Sequence, residues 1–322
     1  MTNLKAKNAL FNDSPYQTGI DVSLSELLCY KKQAKIQLRP ANSAAYKPLS
    51  GNYLAKIKGR GMEFAEVRHY QAGDDIRSID WSVTARTGKA HTKLFQEEKE
   101  RPVFILLDLS DSMIFGSQFV FKSVQACHLA ALLSWQAKQR NDRLGGIVFN
   151  QQQVAELKPT GRNTGLMAFL HQSAQLCASR PFKAELQSQS QSQSQSLLVQ
   201  LKRLSYLVQT GSQVHLISDF SQLDEQCQKL ISQIRRHNQI NAWQVSDPLE
   251  LALPNSVQQD NLKINSLQGS GFFKQKKSLQ DYQKAASQRQ HKVAKLFTKQ
   301  GIPLYQISAA RSLLDQFHVS AK

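Results

Sequence analysis

The run Val103-Phe-Ile-Leu-Leu107 closes on Asp108, five apolar residues ending in a carboxylate. An unbroken apolar stretch of strand length has no side to show to water, so it belongs in a sheet covered on both faces, the arrangement that parallel sheets with flanking helices provide. A second run, 214–218, ends the same way in Asp219. A buried strand that stops at a carboxylate places costly charge on the rim of the sheet, and that charge needs a cation or hydrogen bonds.

Helix and strand signals alternate around these two runs. Phe119, Val120, Val124, Cys127, Leu129, Ala130, Leu133 and Trp135 recur near the helical period, which predicts a helix over 118–140. Strands are expected at 145–149 and 154–157 around the turn-prone Asn150, then helices at 166–177, 197–210 and 223–236, with a strand at 240–245. A hairpin at 262–273, a polar helix at 279–299, a strand at 302–307 and a terminal helix ending near Phe317 complete the reading. The alternation predicts an α/β fold, a doubly wound, mainly parallel, Rossmann-like sheet over 101–322.

Residues 1–100 read differently. A short amphipathic helix at 24–37 is expected to pack on the main body, and 51–100, punctuated by Gly59, Gly61, Gly73 and Gly88, reads as a β-rich appendage. The repeat at 187–196 consists of five Gln-Ser units with no apolar face, so it reads as a surface insertion irrelevant to any site. No stretch of about 18 apolar residues and no charged-then-apolar leader is present, which leads to the expectation of no membrane span and a cytoplasmic location. Cys29, Cys127, Cys177 and Cys227 lie too far apart for a zinc or disulfide pattern and are expected to be reduced and mostly buried.

In open α/β sheets ligands bind beyond the carboxyl ends of the strands, where strand order reverses. Asp108 and Asp219 are expected there. Asp108, Ser110 and Ser112 stand at alternate positions of one short loop, so their oxygens can turn to a common point. Hard oxygen donors with no His or Cys nearby suit Mg²⁺, Mn²⁺ or Ca²⁺ rather than zinc, and a metal so held keeps a position open for a partner's carboxylate. The plain alternative is a helix-capping turn. Enzymatic readings fare poorly: Gly88-Lys89 lacks the rest of a phosphate-binding loop, no HExxH or GxSxG occurs, and no motif ties His128 to a serine. The net charge of +17 supports a rival reading as a nucleic-acid-binding protein, although the basic residues are scattered and a solvated surface explains them as well.

The segment Val103-Phe-Ile-Leu-Leu-Asp108-Leu-Ser-Asp-Ser112 resembles the metal ion-dependent adhesion site of von Willebrand factor A domains. That resemblance implies a metal held by Asp108, Ser110 and Ser112, an aspartate from a later loop, which Asp219 matches, and a threonine. Thr160 and Thr164 both precede the expected helix at 166–177; Thr160 is favoured as the further out, with Thr164 left to cap. Arg68-x-Tyr70-x-x-Gly73-Asp74-Asp75-x-Arg77-x-Ile79-Asp80-Trp81, with Ala85-Arg86 and Asp247-Pro248-x-Glu250, resembles the signature of the bacterial domain of unknown function 58 family. The charged residues of the first motif are expected to form an ion-pair network. The family resemblance implies a MoxR-type AAA+ ATPase as partner, and with it a non-enzymatic adaptor or assembly factor that takes an acidic residue of a client protein.

Overall fold

The computed structural model describes residues 15–34, 62–71, 73–97, 100–179, 196–252, 262–266, 269–273 and 276–317. Its helices and strands, in chain order, are α1 (Leu24–Cys29), β1 (Met62–His69), α2 (Trp81–Thr87), β2 (His91–Glu97), β3 (Pro102–Asp108), α3 (Lys122–Gln139), β4 (Arg143–Phe149), β5 (Val154–Thr160) and α4 (Asn163–Ala178). There follow α5 (Leu197–Leu207), β6 (Gln213–Ser218), α6 (Glu225–Arg235), β7 (Gln239–Ser246), α7 (Pro248–Leu251), β8 (Leu262–Ser266), β9 (Gly269–Phe273), α8 (Lys276–Lys299) and β10 (Leu304–Ser308). The chain divides into two compact units, one of residues 1–46 with 101–322 and one of residues 47–100.

In the larger unit six strands form one sheet in the order β10-β7-β6-β3-β4-β5, parallel except for β5. The apolar run is its centre, and its alternating side chains explain why the run is unbroken. Val103, Ile105 and Leu107 pack into a core with α1, α3 and α4, whereas Phe104 and Leu106 pack into the opposite core with α5, α6 and α8. The result is a mixed α/β architecture, a mainly parallel sheet with helices on both faces, compatible with a Rossmann-like fold.

Helix α3 is buried almost all round because α1 covers the side that the sheet does not. It starts at Lys122, four residues later than the apolar spacing predicts, because Ser117 gives its backbone N–H and its hydroxyl to Asp247 and holds the preceding residues in a loop. Gly116 belongs to that loop, where a Cβ would fall 2.2 Å from the Val120 carbonyl oxygen. The N-terminal helix is shorter than the amphipathic spacing suggests. Ser23 and Glu26 form its capping box, and the buried Tyr30 just beyond it accepts or donates at 3.0 Å to His128 Nδ1 of α3.

The strands return within a residue or two of the expected bounds except β5, which continues three residues further to Thr160, and β8 and β9 form the hairpin. The terminal helix is reduced to one 3₁₀ turn at Leu314–Gln316. Cys127, Cys177 and Cys227 are buried and Cys29 is exposed, all four as free thiols. The repeat at 187–196 lies outside the described residues. Among the described residues no helix is long and apolar enough to cross a membrane.

In the smaller unit, β1 and β2 pair antiparallel, and α2 is capped by Asp80, whose carboxylate accepts from the backbone N–H groups of Ser82 and Val83.

Candidate functional site at the switch point of the sheet

From β3 the chain moves outward to β4 and β5, then returns to the other side of β3 as β6. The order reverses between β3 and β6, and it is there that Asp108 and Asp219 stand. Leu107 is level with Ile217, so Asp108 faces Ser218 across the strands and Asp219 lies one residue beyond.

Asp108 is 4% exposed. Its Oδ1 accepts the Ser110 backbone N–H at 2.9 Å and its Oδ2 accepts the Ser218 hydroxyl at 2.6 Å. Among the described residues it makes no ion pair. Burial, and after it the charge of Asp219, raise its carboxyl to about 6, although the bonds from Ser218 and Ser110 pull the other way.

Asp219 has the opposite balance. Burial alone would raise it, yet the Lys122 ammonium at 2.9 Å and the Ser221 backbone N–H at 2.9 Å hold it below the usual carboxylate range. The Lys122 side chain is wholly buried and also reaches Glu250 at 2.5 Å. Glu250 closes the capping box of α7 with Asp247, so the Asp-Pro-x-Glu motif anchors α7, receives Ser117 and holds Lys122 against Asp219.

The hydroxyls gather between the two carboxylates. Ser110 Oγ lies 3.3 Å from Ser112 Oγ, which in turn lies 3.3 Å from Ser221 Oγ. Ser218 joins both halves, since its hydroxyl donates to Asp108 and accepts the Phe220 N–H at 3.0 Å. Phe220 has φ of 57°, a left-handed backbone that a bulky side chain adopts only under constraint. The constraint is visible: its ring is buried and meets Phe297 of α8 edge-on at 4.9 Å.

The expected threonine does not join this group. β5 runs antiparallel to β4, with Val154 beside Phe149 and Thr160 beside Leu144. At about 3.3 Å per residue the five steps from Phe149 to Leu144 put Thr160 roughly 16 Å down the sheet, at the opposite rim. There its Oγ1 accepts the Arg162 N–H. Thr164, in the first turn of α4, is at the same far end. Asp108, Ser110, Ser112 and Asp219 are therefore brought together, and Thr160 is not.

Lys122, Ser218 and Ser221 are the members that sequence reasoning missed, and Glu250, quoted as part of the later motif, was given no place beside Asp219. Lys122 had a signal, a lone cation inside the apolar run Phe119-Val-Phe-Lys-Ser-Val124. Among the described residues no group of three or more His, Cys, Asp and Glu side chains stands where it could hold a metal; the donors here are two carboxylates and three serine hydroxyls.

The signature residues of the smaller unit make local structure. Arg68 pairs with Asp74 at 2.7 Å, Asp75 caps a 3₁₀ turn at Ile76–Ser78, and Asp80 caps α2 while standing 3.6 Å from Lys93. Trp81 and Ile76 are 68% and 65% exposed.

A six-stranded α/β unit with a carboxylate and hydroxyl cluster at its switch point defines the class of the larger unit. The chain belongs to the family described as protein of unknown function DUF58, whose model matches residues 66–291. Uncharacterized proteins of Mycobacterium bovis and Mycobacterium tuberculosis are each 29% identical over 207 residues, 64% of this chain and 62% of theirs. The chain thus spans about three fifths of the length of these curated relatives. Two solved structures are similar over 67% of this chain: a conserved hypothetical protein BatB from Bacteroides thetaiotaomicron (15% identity, TM-score 0.41, 93% of that chain) and an aerotolerance-related membrane protein from Bacteroides fragilis (14%, 0.40, 96%). Neither likeness is close enough to carry a structural conclusion.

Proposed function

We propose that the larger unit is a von Willebrand factor A-like domain that binds a partner protein through a divalent metal at Asp108, Ser110, Ser112 and Asp219, and that it is not an enzyme. The observation that carries this reading is the buried Asp108, which has no ion-pair partner among the described residues and lies beside a second carboxylate and a row of hydroxyls. A buried carboxylate in that position calls for positive charge. The donor chemistry fits a hard cation: hydroxyl and carboxylate oxygens suit Mg²⁺, Mn²⁺ or Ca²⁺. Ser110 and Ser112 would hold it, Asp108 and Asp219 would neutralise it, and Ser221 supplies the further hydroxyl that Thr160 was expected to give. Such a cation offers a Lewis-acidic position to a carboxylate of the partner.

The partner is a MoxR-type AAA+ ATPase or an acidic client delivered to it, as the family resemblance implies. Pull-down of the ATPase from cells making both proteins should succeed in Mg²⁺ and fail in EDTA, and Ser110→Ala with Ser112→Ala should abolish it while circular dichroism stays unchanged. Association at full strength after both treatments would sink this reading.

One observation favours a second reading. The exposed side of α8 carries Lys284, Arg289, Lys292, Lys295 and Lys299, a basic face that a nucleic-acid backbone could follow. It predicts a steep fall of DNA or RNA affinity with salt and indifference to EDTA.

A further inference from the structure

The two-stranded sheet of the smaller unit carries a pair of histidines that its ion pairs do not use. His69 of β1 and His91 of β2 are cross-strand partners, so both side chains leave the sheet on the same face. On the next pair the Tyr70 N–H reaches the Ala90 carbonyl at 2.8 Å, while the His91 C=O and N–H turn away from β1, to the Asp80 N–H and the Thr84 hydroxyl. His69 and His91 are therefore a non-hydrogen-bonded pair, the kind whose side chains approach most closely. Their ring centroids lie 4.5 Å apart, with the planes tilted by 40°.

The His91 ring is already oriented. Its Nδ1 stands 2.6 Å from the Lys89 carbonyl oxygen, which can only accept, so Nδ1 carries the proton and Nε2 keeps the lone pair. A backbone carbonyl behind one ring nitrogen is how metal-binding histidines are held, because it fixes the tautomer and makes the other nitrogen more basic. The His69 ring is exposed and makes no hydrogen bond among the described residues. The spacing of the rings decides whether one ion fits both. With Zn–N bonds of about 2.1 Å each ring centroid falls roughly 3.2 Å from the ion, and two imidazoles at right to tetrahedral angles then stand about 4.5–5.2 Å apart. The observed spacing falls within that range. Lys93, two residues along β2 and on the same face, is engaged by Asp80 at 3.6 Å.

We propose that His69 and His91 form a zinc-binding pair that clips β1 to β2. Imidazole nitrogen suits zinc, whereas the carboxylates and hydroxyls around Asp108 suit a hard cation, so the two positions differ in the ion they take and this one does not depend on the other. With two protein donors the ion keeps its remaining positions for water. The clip has a use in the fold. A sheet of two strands is marginally stable by itself, and an ion that binds only the paired strands adds its binding free energy to their pairing.

The test uses the full untagged chain in excess Mg²⁺, with Zn²⁺ as the probe. Calorimetry should show a Zn²⁺ equivalent whose affinity His69→Gln and His91→Gln each lower by about ten-fold or more. Zinc-edge X-ray absorption of the unaltered protein should show imidazole nitrogen and water oxygen around the ion and no sulfur, a reading that stands even where a variant fails to fold. Zn²⁺ at about ten times its Kd should slow amide hydrogen exchange in β1 and β2 by about ten-fold. Absence of Zn²⁺ binding, full affinity in either variant, or sulfur at the ion overturns the histidine pair. Bound zinc that leaves exchange in the two strands unchanged overturns the clip.

Discussion

Asp108 and Asp219 stand at the ends of neighbouring buried strands, Asp108 closing an unbroken apolar run and Asp219 following Val214-His-Leu-Ile-Ser218, yet their surroundings push them in opposite directions. Asp219 has Lys122 beside it and is held ionised. Among the described residues Asp108 receives hydrogen bonds but no ammonium, and burial raises its carboxyl to about 6. Burial weighs on both, so the difference comes from one buried lysine and from Glu250, which keeps that lysine in place. A strand-ending aspartate is thus not a site in itself. The pair becomes a candidate site because Lys122 compensates Asp219 while Asp108 is left to hydrogen bonds from the Ser218 hydroxyl and the Ser110 N–H.

The harshest way to break the comparison is to take the cation away. Lys122→Met keeps the stem and removes the ammonium, leaving Asp219 uncompensated at 9% side-chain exposure beside Asp108. Losing one partner of a buried pair costs about 3–5 kcal/mol, and urea denaturation at neutral pH should show a loss of that order. Mg²⁺ should restore more stability to this variant than it adds to the unaltered protein, since both carboxylates then lack a counter-ion. A loss below about 1 kcal/mol would show that Asp219 does not depend on Lys122 and that the two aspartates are alike.

A smaller effect sharpens the comparison by removing a confounding titration. His215 lies on β6, four residues before Asp219, buried and accepting the Trp243 Nε1–H at 3.0 Å. Burial, helped by Arg140 and Arg101, lowers it from 6.5 to about 3. Its folded form therefore refuses a proton that the unfolded chain accepts. The stability it allows is complete above about pH 6.5 and is lost as the pH falls toward 3, at about 1.4 kcal/mol per pH unit. Between pH 6.5 and 5 that amounts to about 2 kcal/mol. His215→Gln should flatten this limb in denaturation curves taken at the two pH values; an unchanged slope would place the acid sensitivity elsewhere.

The sequence carried more of the fold than of the site. Both buried strands, the alternation of helices and strands, and the adjacency of Asp108 with Asp219 follow from apolar runs and from the rule that ligands gather where strand order reverses. Local periodicity could not reveal that β5 runs backwards, because Val154 to Thr160 reads the same in either direction, and the error over Thr160 follows from that alone. Lys122 was hidden for a different reason. It stands out as a lone cation inside an apolar run, but nothing local names its partners, because Asp219 and Glu250 arrive from 97 and 128 residues further along the chain. Ser218 and Ser221 are small polar residues at a turn, where capping and ligand chemistry look identical in one dimension.

The mildest change addresses the missing hydroxyl. If Ser221 completes the oxygen row, its Oγ, 3.3 Å from Ser112 Oγ, is the third hydroxyl that a cation between the aspartates would meet. Thr160, beside Leu144 at the other rim, would meet nothing of it. Thr160→Val removes one exposed hydroxyl that accepts a backbone N–H and should shift the melting temperature little. Its Mg²⁺-induced rise in melting temperature should equal that of the unaltered protein. Ser221→Ala should leave the apo melting temperature almost as it was, since Ser221 is exposed, but reduce the Mg²⁺ response through a raised Kd. Titrating Mg²⁺ against melting temperature in both variants separates the assignments. A response lost in Thr160→Val and kept in Ser221→Ala would mean that the metal is not held between β3 and β6, and that the contrast between the two aspartates is a matter of stability alone.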